Sequence, residues 1–69
     1  MSRMVNIILT ELASDIMKHE EAMETSINAK GDINERISNI KHHLNKIVET
    51  EAMIDKWKYY TSITNNNKE

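Results

Sequence analysis

Sixty-nine residues, 39% hydrophobic and without phenylalanine, make at most one small domain and leave little material for a large independent core. The chain has no cysteine, which excludes a disulfide framework and a thiolate metal site, and its formal net charge of −2 is spread over interspersed acids and bases, which argues against a dedicated nucleic-acid binder. The longest apolar run, Met4-Val5-Asn6-Ile7-Ile8-Leu9, is broken by Asn6 and is too short for a signal-peptide core or an inserted membrane span.

From Met4 to Lys30 apolar residues recur at helical spacing: Val5, Leu9, Leu12, Ile16, Met23 and Ile27. His19 and Glu20 interrupt the stripe without ending it. Ser2 is a candidate cap for the start. This pattern predicts a first helix over 4–30, about 40 Å long at roughly 1.5 Å per residue.

The stretch Lys30-Gly31-Asp32-Ile33-Asn34-Glu35 follows. Gly31 is the sole glycine and proline is absent, so this is the strongest break signal in the sequence. Asp32 can cap a second helix, Glu35 stands three residues on in the capping-box position, and Lys30 suits the negative end of the first helix. The reading is a stop and an immediate restart. A continuous helix through Gly31 competes with it, because one glycine costs such a helix only about 1 kcal/mol.

The second helix is predicted over 33–63. Ile33, Ile40, Ile47 and Ile54 keep heptad spacing, with Ile37 and Leu44 at the alternate positions. Trp57, Tyr60 and Ile63 carry the seam past Glu51. Residues 64–69 are polar, aperiodic and read as a disordered tail. The fold class is therefore all-α: an antiparallel two-helix hairpin, coiled-coil-like, with residues 1–63 as one domain.

In such a hairpin, facing residues have numbers summing to about 63, a value set by the turn. This pairs Ile27 with Ile37, Met23 with Ile40, Ile16 with Ile47 and Leu9 with Ile54. His19 falls opposite Leu44 and close to His43, and Val5 reaches the level of Trp57. Near the turn, Glu20, Glu21 and Glu24 face Arg36, Lys41 and Lys46 across a narrow apolar seam, with ion pairs worth about 0–1 kcal/mol each available between them.

The open end carries more apolar surface than one neighbouring helix can cover. Val5, Ile8, Leu12, Ala13 and Met17 on the first helix, with Val48, Ala52, Met53, Trp57, Tyr59 and Tyr60 on the second, are the candidate partner-binding residues. Their aromatic and methionine content suits a protein interface. No cofactor is expected, and two helices without a cleft present no nucleophile with an adjacent base and no phosphate loop. His19 and His43, with Glu20 beside them, make a surface zinc site geometrically possible. The spacing typical of structural zinc is missing, so no metal is assigned and the histidines read as a solvated break in the core.

The two long helices over 4–30 and 33–63, the Lys30-Gly31-Asp32 turn and Tyr59-Tyr60 near the second helix end together resemble the small co-chaperones of type III secretion needles. The similarity covers most of the chain as a pattern of elements. It implies a non-enzymatic, cytoplasmic chaperone subunit whose open end docks on a larger helical-repeat chaperone, the two holding the secreted needle subunit soluble. Two alternatives use the same surface: a homo-oligomeric structural protein built from a dimer of hairpins, and a small regulator that binds and blocks an enzyme.

Overall fold

Among the described residues the chain forms two helices, α1 over Arg3–Asn28 and α2 over Ile33–Lys68. The computed structural model describes residues 3–68, with side chains over 3–63. The helices pack antiparallel into a hairpin whose Cα trace measures 55 × 16 × 10 Å. Ser2, the expected cap of α1, lies outside the described residues. α2 runs on to Lys68, through the stretch expected to be a disordered tail. That stretch contains no glycine or proline to stop the helix.

The turn forms where the sequence places it. Gly31 has φ +129°, in the region that L side chains avoid, and so reverses the chain direction without strain. Asp32 is the N-cap of α2: its Oδ2 accepts the Glu35 backbone N–H at 2.9 Å, and its carbonyl accepts the first helical bond from Arg36 N at 3.1 Å. α1 stops at Asn28, two residues before the expected boundary, which leaves Lys30 outside the helix. The role expected of Lys30 falls to Arg36. Its guanidinium reaches back across the turn, donating from Nε to the Ser26 carbonyl at 3.1 Å and from Nη2 to the Ile27 carbonyl at 2.6 Å. A cation on the last free carbonyls of α1 satisfies acceptors that helix geometry leaves without partners.

The seam differs from the expected one along α2. Burial shows that Arg36, Ile40, His43, Ile47, Thr50, Ile54, Trp57 and Thr61 face α1, alternating in steps of four and three. Ile40, Ile47 and Ile54 are as expected. Ile37 and Leu44 are not: they remain 44% and 48% exposed, and polar residues occupy the positions assigned to them. On α1 the matching seam is Val5, Leu9, Leu12, Ile16, His19, Met23 and Ser26. The register sum is 62 rather than 63 at the levels fixed by hydrogen bonds, so His19 meets His43 instead of Leu44.

The physical reason lies in the polar layers. Turning α2 toward Ile37 and Leu44 would strand His19 and the α1 terminal carbonyls against hydrocarbon. Turning it the other way lets His19 bond His43, Arg36 bond Ser26 and Ile27, and Trp57 bond Val5. An unsatisfied half-buried polar group costs about 1–3 kcal/mol, as much as the exposure of one aliphatic side chain. Three such layers decide the rotation. The core that results is thin: among the described residues Val5 and Ile47 are its buried apolar side chains at 7% exposure each, and Thr50 is buried too, its hydroxyl donating to the Lys46 carbonyl at 2.7 Å.

Candidate protein-binding surfaces

At the open end Val5 lies inside the hairpin and is no part of the free surface it was assigned to. Its carbonyl accepts the Trp57 indole N–H at 3.3 Å, a bond between residues 52 apart in sequence that pins the two chain ends together. Trp57 is thereby held half-buried, one edge against α1 and one facing out. Beside it runs a groove of about 270 Å³ lined by Ile8, Leu12, Met53, Lys56, Trp57 and Tyr60. Five of these were expected partner-binding residues; Lys56 was not. It follows from the same heptad arithmetic that puts Met53 and Tyr60 on one side of α2. Tyr59 and Tyr60 stand edge to face at 6.0 Å, and the Lys56 ammonium sits 5.9 Å from the Tyr59 ring centre.

The remaining candidates are exposed but do not join the groove. Ala13 and Met17 on α1, and Val48 and Ala52 on α2, lie on other faces, and Tyr59 turns away from the groove. The expectation that apolar surface is confined to the open end is also overturned. Ile27, Ile33, Ile37 and Leu44, all nearer the turn, are bare as well, with Ile33 at 62%. The signal that could have revealed them is the overlap of two heptad stripes on α2. One holds 33, 37, 40, 44 and 48; the other holds 36, 40, 43, 47 and 50. Only one can face α1.

The expected inter-helix ion pairs near the turn do not form at the two bases whose partners are described. Arg36 is committed to carbonyls, and Lys46 pairs with Glu49 on its own helix at 3.7 Å. Both members of that pair are well exposed, so it adds little stability.

Midway along the seam, His19 Nδ1 and His43 Nδ1 are 2.9 Å apart, with ring centres at 5.1 Å. One nitrogen donates and the other accepts, so the pair is held by a single proton. His42 lies edge-on to His43, also at 5.1 Å. Desolvation, followed by the proximity of His19 and His42, lowers the pKa of His43 below its ordinary 6.5. Among the described residues no group of three or more potential metal ligands converges.

No known protein family, curated protein or solved structure matches the chain. The functional reading therefore rests on the surfaces themselves. Among the described residues no helix is long and apolar enough to cross a membrane.

Proposed function

We propose that this hairpin is a non-enzymatic protein-binding module of the cytoplasm, which completes its core on another protein through the groove anchored by Trp57. The observation that carries the reading is the disproportion between core and bare apolar surface. Among the described residues two apolar side chains are buried, whereas Met53, Tyr59, Tyr60 and nine other large hydrophobic side chains are more than two-fifths exposed. A folded monomer of 8.1 kDa presents about 4,500 Å² to solvent. This chain presents 5548 Å². The difference reflects how little of this elongated hairpin is buried against itself.

Within this class, the resemblance to type III secretion co-chaperones supports a partner with a helical-repeat surface, the pair acting on an export substrate. A 270 Å³ apolar groove with an indole, a phenol and a thioether suits a partner helix that inserts one or two side chains. The test is to purify the untagged protein from its own cells and identify what accompanies it. A stoichiometric helical partner that is lost on Met53→Glu and Tyr60→Ala, with helicity retained by circular dichroism, supports the reading. A stable, monodisperse monomer that travels alone overturns it.

A further inference from the structure

The groove lies on the side of the hairpin to which Met53 and Tyr60 step from the seam. The opposite side follows from the seam by helix arithmetic. On α2 it holds the residues one and four places after Ile33, Ile40, Ile47 and Ile54: Ile37, Lys41, Leu44 and Val48, then Glu51, Asp55 and Lys58. On α1 the same steps from Leu9, Ile16 and Met23 give Thr10, Ala13, Met17, Glu20, Glu24 and Ile27. In an antiparallel pair these two sets share one side. Met17, Leu44 and Val48 are bare there, and among the described residues neither Glu20 nor Lys41 has an ion-pair partner. The face is therefore mixed in charge, with an apolar centre.

We infer that this face packs on a second copy of itself, Lys41 of each copy held by Glu20 of the other, to give a four-helix bundle. A two-fold axis parallel to the helices lays α1 of one copy on α2 of its mate and leaves every residue at its own level. The hydrogen bonds from His19 to His43 and from Trp57 to Val5 put residues whose numbers sum to 62 at one level. Met17 then meets Leu44, Ala13 meets Val48, and Glu20 meets Lys41. Each contact occurs twice. Charge complementarity selects the occupant: where α1 is acidic, at Glu20 and Glu24, α2 is basic at Lys41, and the axis exchanges the two helices. Glu24 lies over Ile37, within one turn of the same ammonium. Glu51 and Asp55 meet Thr10 and Asn6, which are neutral donors. Arg3 and Lys58 are the like-charge pair; they stand at the open end, where Asp55, one turn before Lys58, offsets the repulsion. The Trp57 groove stays open on the far side of each copy, so the inference does not rest on the function proposed for it.

Sedimentation equilibrium of the full chain tests this, with circular dichroism to confirm that each variant stays helical. The parent should show a concentration-dependent equilibrium between monomer and dimer. Leu44→Glu should weaken it by about tenfold or more, whereas Tyr60→Ala, on the far side, should leave it unchanged. Glu20→Lys alone and Lys41→Glu alone should each weaken it by about tenfold, because each sets like charges together twice. The double variant should recover the parent constant to within about threefold, which a misfolded chain would not do. A monomer at every concentration would overturn the proposal and leave the face to another protein. A dimer lost through Tyr60→Ala but not Leu44→Glu would place the second copy in the groove instead. Failure of the double charge swap to recover association would refute the pairing of Glu20 with Lys41.

Discussion

Replacing Gly31 by alanine isolates the element on which the hairpin depends. At φ +129° an L residue is strained, by about 1–3 kcal/mol for this region of backbone space. An added Cβ would meet no atom within 4 Å, so the cost is conformational and not a clash that neighbours could relax. Alanine also favours an uninterrupted helix over glycine by about 1 kcal/mol. Both effects act in one direction. Together they shift the balance between hairpin and straight rod by roughly 2–4 kcal/mol toward the rod. Urea denaturation should show a lowered midpoint at unchanged slope. Small-angle scattering should detect a population longer than the 55 Å hairpin, because 66 residues of unbroken helix would span about 100 Å. A synthetic chain with D-alanine at position 31, for which positive φ is natural, should recover the parent midpoint. If L-alanine leaves both midpoint and length unchanged, the turn does not rely on the backbone freedom of glycine and the reasoning fails.

Trp57→Phe keeps an aromatic ring but loses the bond to the Val5 carbonyl, and should lower stability by about 0.5–1.5 kcal/mol in chemical denaturation. Amide exchange should rise first in the opening residues of α1, and uniform exchange across the chain would contradict the pinning role. Arg36→Met preserves the aliphatic stem but strips two carbonyls of α1 of their cation, at a cost of about 1–2 kcal/mol given the partial exposure of the site. Arg36→Lys should restore less than half of it, since one ammonium does not reproduce the planar fork. For pH, the lowered pKa of His43 means that the unfolded chain takes up its proton first as the medium acidifies. The stabilisation linked to neutral His43 is complete above pH 6.5 and is lost as the pH falls from there through the depressed folded value. Urea midpoints measured between about pH 7.5 and 5 should therefore decline in the parent and flatten in His43→Gln; parallel curves would exclude the histidine layer as the cause.

Much of this fold was legible residue by residue. A lone glycine followed by Asp32 and Glu35 marks a helix stop and a capped restart, and the chain obeys because backbone sterics and orphan amides act locally. The register followed from the turn to within one residue, since two straight helices leaving a fixed loop have little freedom to slide. Polar layers decided the rotation of α2 about its own axis. The stripe that turns inward shares Ile40 with the more apolar one but carries Arg36, His43 and Thr50, so hydrophobic periodicity alone points to the other.

Composition, the turn and the heptads thus determined that the chain is a helical hairpin and, to within one residue, which residues stand level with one another. Which residues are left bare was settled only when the helices came together. Hydrogen bonds from His43, Arg36 and Trp57 to partners on α1 outweigh the burial of Ile37 and Leu44. Those bonds join residues 9 to 52 positions apart, distances over which no local preference in the sequence extends.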